Sequence, residues 1–448
     1  MYGMPLAQAS IFIASVIVII LATQWWTVHP FIVLTVIAAL FGDIAGFTTS
    51  QLGSVFGSGF AEKFYSPGLV IVAAGLIAGL AESTAATARL TALAKRFSSG
   101  WIASCVGLIA GLGALTSTAF ALATPLIPAI GAETPQQRQG TVLTLALAIS
   151  AGHGLIALAP VPIAGMAVLG ADWQRVALFG VPLAIVLAAF GALFARWVPV
   201  AAQAEATPEL VPATAQPGNG PLIALILAIA IPSLLLIVQS IGDMPSEPLG
   251  GGSKRELVLG IGRPLILFLV GVGIMVLGRP RQSLRLLADA GWTGRVFGKL
   301  ASVLLIVCAA GGLQRLCQQT GMAEVLGERL LDWHFGAFGL LIPFLIAAVI
   351  KTLQGSSLVA AITTAGMMQT MLVPLALGDP NGKALAALAI GAGAMTASHV
   401  NDDFFWLVTT TAGLSPLRGL AAFGLGTLLQ GVIAIVALLA LYLLFGHA

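Results

Sequence analysis

Charge is what this sequence has least of. Lys, Arg, Asp and Glu together make up 8% of its 448 residues, where a soluble globular chain carries about 25%. With 58% hydrophobic residues, that shortage excludes a soluble fold and predicts an integral membrane protein whose main partner is the lipid bilayer. Net charge is only +3, and no basic tract interleaves with aromatic residues, so nucleic acid is not an expected partner. Cysteine is also sparse. Cys105, Cys308 and Cys317 lie in apolar surroundings without paired spacing, which argues against a disulfide framework or a metal site, and no cofactor is expected. The N-terminus has no basic n-region, and the apolar run 11–22 ends in no convincing cleavage site. That run predicts a first transmembrane helix, not a removed signal peptide.

Glycine, by contrast, is plentiful at 53 residues, as expected where helices pack closely in lipid or break at a site. A spanning helix needs about 20 mostly apolar residues. Candidates are 10–23, 30–45, 67–84, 101–115, 141–158 and 171–197 in the first half, then 222–238, 257–277, 300–313, 335–350, 384–396 and 420–444. Between them, 201–220 is polar and proline-bearing, with Glu205, Pro208, Glu209, Pro212 and Pro217. It reads as a linker between a first transmembrane repeat at 1–200 and a second at 221–448. Two shorter apolar runs are interrupted: 119–130 by Pro125 and Pro128, and 357–377 by the preceding Gln354-Gly355-Ser356. Broken segments in matching places point to a transporter site.

Features recur in order between the halves. Gly79-Leu80, Thr87 and Arg96 are matched at one spacing by Gly312-Leu313, Thr320 and Arg329. Leu115-Thr116-Ser117-Thr118 is matched by Leu353-Gln354-Gly355-Ser356, and Ala151-Gly152-His153 by Ala397-Ser398-His399. Arg279, Arg281, Arg285, Arg295 and Lys299 crowd one expected loop, which the positive-inside rule places in the cytoplasm. The first half closes its equivalent helix on the basic pair Lys95-Arg96, the second near Glu324 and Glu328. The halves are therefore expected to have opposite topology, with the linker in the cytoplasm and the N-terminus outside.

The strongest functional signal is Ala397-Ser398-His399-Val400-Asn401-Asp402-Asp403, set between apolar runs. Ionisable groups at membrane depth are costly and usually face a cavity or another polar group. The plainer alternative is a helix end at the surface, where Asn-Asp makes an ordinary turn. Gln354-Gly355-Ser356-Ser357 opens a helix-like run through Thr364. A Ser there caps free N–H groups, and those groups attract anions. The alternative is Ser/Thr back-bonding within continuous helices. Lys351 reads first as a snorkelling lysine at the membrane surface and otherwise as a cation that biases the cavity toward anions, Glu82 as a helix-end marker or proton acceptor, and Asp43 as interfacial. His29, His334 and His447 receive no role.

At Gln354-Gly355-Ser356, Thr364-Ala365-Gly366, Ser398-His399-Val400-Asn401-Asp402 and Phe405-Trp406-Leu407-Val408, the chain resembles the gluconate permease family, proton-coupled sugar-acid importers of the ion transporter superfamily. The resemblance implies an all-α polytopic membrane protein of the bacterial inner membrane. It also implies two inverted-topology repeats with re-entrant hairpins, a dimerising scaffold, and a transport domain that moves in elevator fashion. The family's first half reads His-Gly-x-x-Pro-Pro-His-Pro-x-Pro. Residues 153–162 keep His153, Pro160 and Pro162 but lack the second histidine and two prolines. After Asn401-Asp402 the family has a small pair, where this chain has Asp403-Phe404. Both departures lie where the resemblance puts the substrate, and loss of the polar histidine favours an acid smaller or less hydroxylated than gluconate.

The expected function is secondary transport, importing a small sugar or hydroxy acid with protons. The substrate-binding set is Ser117, Thr118, His153, Gln354, Gly355, Ser356, Ser357, Thr364, His399 and Asn401. Ser356 and Ser357 hold the carboxylate, and Asn401, which both donates and accepts, meets hydroxyls. Asp402 or His399 carries the coupling proton, and Asp403 reinforces Asp402 by like-charge repulsion. Sodium coupling on the same scaffold is the alternative, since exposed carbonyls suit Na⁺ as well. An intramembrane hydrolase is the distant alternative. No Gly-x-Ser-x-Gly elbow or His-Glu-x-x-His motif is present, and an enzyme gives no reason for matched halves.

Overall fold

The computed structural model describes residues 4–84, 86–94, 99–113, 115–130, 134–198, 220–243, 247–322, 324–325, 328 and 338–445. The linker, Lys95-Arg96, Arg329, His334 and His447 lie outside the described residues, apart from Gly220 at the linker's end. The first half contains α1 (Met4–Gln24), α2 (Pro30–Ile44), α3 (Thr49–Lys63), α4 (Leu69–Ser83), α5 (Ala86–Ala94), α6 (Ser99–Ala110), α7 (Thr116–Ala123), α8 (Ile127–Ile130), α9 (Pro135–Leu155), α10 (Pro160–Leu169) and α11 (Trp173–Trp197). The second contains α12 (Gly220–Gly242), α13 (Ser253–Ile261), α14 (Pro264–Gly278), α15 (Pro280–Ala288), α16 (Ala290–Gln319), α17 (Leu341–Gln354), α18 (Ser357–Met368), α19 (Pro380–Ala394), α20 (Asp403–Thr411), α21 (Pro416–Gly419) and α22 (Leu425–Phe445). Among the described residues no strand occurs. Among the described residues, six helices are long and apolar enough to cross a membrane, or seven if the bent pair α13–α14 counts as one span. The chain is a multi-pass membrane protein.

Several expected spans need correction. The run expected at 67–84 matches α4, but a further helix, α3, precedes it across a kink at Ser66, where the backbone is extended (φ −143°, ψ 113°). Gly53, Gly57, Gly59 and polar side chains dilute the hydropathy of α3. Its start is nonetheless fixed by a capping box, in which the Thr48 side chain and the Gln51 side chain reciprocally satisfy backbone N–H groups. The span expected at 257–277 breaks before Pro264 with a 55° bend, since proline cannot continue the hydrogen-bond ladder. The basic residues expected in one loop are on helices: Arg281 and Arg285 on α15, Arg295 and Lys299 on the first turns of α16.

The helices pack in two groups. One joins α2, α3, α4, α12, α14 and α16. The other joins α6, α9, α10, α11, α17, α18, α19 and α22, and α7 and α20 lie between them. In the first group, α3 and α16 cross where Gly59 faces Gly311. A Cβ on Gly311 would lie 2.9 Å from the Gly59 carbonyl oxygen, so the close approach requires glycine. The second group holds the interior. In the stretch Gln136–Leu169, 89% of the most apolar window is buried, against 33% for Pro416–Phe445. The latter turns Leu443, Leu444, Val432 and Val436 outward, as a lipid-facing helix does.

Each half contains two short helices meeting at a tip (α6–α7, α17–α18) and a long apolar run interrupted midway (α9–α10, α19–α20), followed by an outer helix (α11, α22). The tips reach the first group: Gly113 approaches Leu236 of α12, and Gly355 approaches Gln314 of α16.

Candidate functional site

The second-half tip forms where α17 ends. Gly355 takes φ +73°, and its N–H closes on the Lys351 carbonyl at 2.7 Å. This left-handed position suits glycine. A Cβ there would also lie 2.5 Å from the Asn401 carbonyl oxygen, so the tip's backbone rests directly on the interrupted stretch between α19 and α20. Ser356 then caps α18, its Oγ accepting from the Val359 N–H at 3.4 Å. The stretch after α19 is not a surface turn. Ser398, Asn401, Asp402 and Asp403 are all at most 5% exposed. Asp402 caps α20, its Oδ1 accepting from the Phe404 N–H at 3.0 Å.

Lys351 is the cation of this centre. It is buried, not snorkelling, because α17 runs on to Gln354 and carries it beneath the tip. Its Nζ donates to Asp402 Oδ2 at 2.6 Å and to the Gly355 carbonyl at 2.8 Å. The Ser398 hydroxyl donates to the same Oδ2. His399 Nε2 and Asn401 Nδ2 both donate to the Thr352 carbonyl, at 2.8 and 2.9 Å. A carbonyl can only accept, so His399 carries its hydrogen on Nε2.

A second buried ion pair lies beside the first. Lys63, the last residue of α3, donates from Nζ to Asp403 Oδ1 at 3.0 Å. Asp403 Oδ2 has no hydrogen-bond partner, and Ser117 lies next to this carboxylate. Phe404 packs edge-on against Phe120 of α7, with ring centroids 5.8 Å apart. The like-charge reading of Asp402-Asp403 thus misses two cations, one for each carboxylate.

Between these elements is a cavity lined by Thr116, Ser150, His153, Lys351, Ser357, Ser398 and Asp402, with Val161 and Phe404. Thr116, Val161, Ser357 and Phe404 stand in the first turns of α7, α10, α18 and α20. Four helix N-termini therefore converge on one small space, each turning the positive end of its dipole toward it, although Asp402 already takes the Phe404 N–H of α20 and α10 opens on Pro160 and Pro162, which have none. Such an end is a ready anion site, and Lys351 adds an ammonium whose charge is balanced by Asp402. The open volume is about 10 Å³, roughly one water, so an organic acid can enter only if the lining separates.

Of the residues expected from sequence, His153, Ser357 and Asp402 line this cavity. Gly355, Ser356, His399 and Asn401 build the frame around it. Ser117 adjoins Asp403, and Thr118 hydrogen-bonds Ser66 at 3.2 Å in the bend between α3 and α4. Gln354 turns away, donating to Glu324 at 2.6 Å. Thr364 is buried in the second turn of α18 with an unpartnered hydroxyl. His153 lies in the last turn of α9, whereas His399 lies beyond the end of α19, so the two histidines occupy different places on their elements. Thr116, Ser150, Ser398, Lys351 and Lys63 were not assigned from sequence. The available signal was that Lys351 is an isolated cation in an apolar run; Lys63, directly after Glu62, carries no such signal.

Residues 7–444 match the family described as GntP family permease. The gluconate permease of Pseudomonas aeruginosa is 28% identical over 95% of this chain and 94% of its own length. The high-affinity gluconate transporter of Escherichia coli K12 is 27% identical, covering 92% and 93%. A D-serine transporter of the same organism is 24% identical, covering 95% and 96%. These relatives are permeases and transporters, so the catalytic reading of the buried Ser, His and Asp falls away and the protein is not an enzyme. With that match running from the first helix to the last, the chain belongs to the GntP permease family.

Proposed function

We propose that this protein is a secondary active transporter that imports a small organic acid anion of the gluconate type together with a proton. The observation that carries this reading is the convergence of four helix N-termini and Lys351 on one buried cavity with Ser and Thr hydroxyls. The helix ends and the lysine suit a carboxylate, and Ser357, Thr116 and Ser398 suit hydroxyls along a short acid. Relatives named for gluconate support the same class.

Charge balance supports the proton. Lys351 and Asp402 already neutralise each other, as do Lys63 and Asp403. A carboxylate entering this dry site adds one negative charge, which is costly unless matched. A proton taken up with it restores neutrality. The recurring order of tip, interrupted helix and outer helix supports two inverted repeats, and the two packing groups support a scaffold and a moving transport domain. A homodimer in the bacterial inner membrane follows from the family resemblance.

Uptake of radiolabelled gluconate into proteoliposomes, with and without an inward proton gradient, tests the reading. Accumulation driven by the proton gradient in sodium-free buffer is expected, with competition by glycerate and other short hydroxy acids. Uptake that requires sodium and ignores the proton gradient would overturn the coupling. No response to any carboxylate would overturn the substrate class.

A further inference from the structure

We propose that Asp403, held by Lys63, is the coupling-proton site, separate from the substrate cavity at Lys351 and Asp402. This rests on the proton-coupled reading above and divides the work between two neighbouring carboxylates.

Asp402 has both oxygens engaged. One oxygen caps α20, and the other takes Lys351 and Ser398. Asp403 is less firmly held: Oδ1 takes Lys63, and the buried Oδ2 has no hydrogen bond of ordinary geometry, with only the Ser117 hydroxyl within reach of the carboxylate. Unsatisfied buried polar atoms are rare in native proteins and often functional. Asp403 is also absent from the cavity lining, which includes Asp402. Finally, the two pairs join different things. Lys351 lies on α17, packed with α19 in the same group as the cavity. Lys63 lies on α3, in the other group.

The second ion pair therefore ties the end of α3 to α20, which packs mainly on α16 and lies between the groups; on the moving-domain reading proposed above, it is made and broken as the groups shift. When they shift, Asp403 loses Lys63. A lone carboxylate in an apolar interior is unfavourable, so it takes a proton from the side to which the site has opened. The carboxylate and the proton form a neutral acid, whose O–H can turn to the Ser117 hydroxyl beside it. When Lys63 returns, its ammonium favours the carboxylate and the proton leaves to the opposite side. The charged and titratable groups facing this site are Lys63 and Glu62 from α3, Cys308 from α16, Lys351 from α17, and Asp402 before α20.

The test compares two readouts with radiolabelled gluconate in proteoliposomes: accumulation driven by a proton gradient, and exchange against internal gluconate with no gradient. Asp403→Asn should lose accumulation completely yet still exchange, within about tenfold of the wild-type rate. Asp402→Asn should lose both. Lys63→Gln should also lose accumulation, because Asp403 then keeps its proton in both positions. If Asp403→Asn is too unstable to reconstitute, the neutral double variant Lys63→Gln/Asp403→Asn carries the same expectation. Asp403→Asn or the double variant accumulating gluconate like wild type would overturn the proposal. So would a folded Asp403→Asn protein that loses exchange as fully as Asp402→Asn. A wild type that shows no proton-driven accumulation overturns the underlying transport reading first, and is recognised without any variant.

Discussion

Asp402 has both oxygens engaged, by Lys351, Ser398 and the Phe404 N–H, whereas Asp403, one residue on, holds Lys63 with one oxygen and has only the nearby Ser117 hydroxyl for the other. Adjacent residues at a helix start point in different directions, so chain neighbours can serve different surroundings. Asp402 looks into the packed second group, at the cavity. Asp403 looks across to α3 of the first group. One carboxylate organises a site, and the other connects two bodies.

The comparison can be broken by removing the cations. Lys351→Met should have the largest effect, since it leaves Asp402 buried and unpaired. A loss of about 3–5 kcal/mol in stability is expected, with gluconate transport abolished. Thermal unfolding and uptake check both. Lys63→Met should cost somewhat less, about 3 kcal/mol, because its side chain is 11% exposed against 4% for Lys351. Adding Asp403→Asn to Lys63→Met should recover much of that loss, and a double-mutant cycle in the unfolding temperature measures the coupling. Additive losses would mean the pair does not interact.

The next two changes sharpen the frame instead of the charges. Gly355→Ala forces a side chain into a left-handed position and onto the Asn401 carbonyl. About 1–3 kcal/mol is expected, with uptake strongly reduced. Ser356→Ala removes a helix cap and should cost about 1 kcal/mol in the same unfolding assay. Smallest is Arg255→Gln, at the partly exposed pairs with Asp243 and Glu247. Its unfolding temperature should barely move, since surface ion pairs contribute about 0–1 kcal/mol.

Much of the architecture is legible in the sequence because a spanning helix leaves a long apolar run. The runs at 30–45, 171–197 and 420–444 match α2, α11 and α22 closely. What hydropathy misses is where glycine and polar residues dilute a helix, as in α3, or where proline bends one, as before Pro264. The tip at Gly355 and the interrupted stretch at 397–403 are legible because polar residues stand out there. Their cations are not. Lys63 and Asp403 are far apart in the chain, and nothing local announces that α3 ends beside α20. Lys351 can be read as reaching outward for water, and only the packing of α17 shows it reaching inward.

Contact between the Gly355 and Asn401 backbones has a mechanical meaning. With main chain resting on main chain, no side chain can fold aside to let the tip withdraw alone. If the proposed transport domain moves, tip and interrupted stretch travel as one block, like a key bitted on both edges. A covalent staple between those two pieces should leave the cycle running, whereas a staple from the end of α3 onto α20 should jam it.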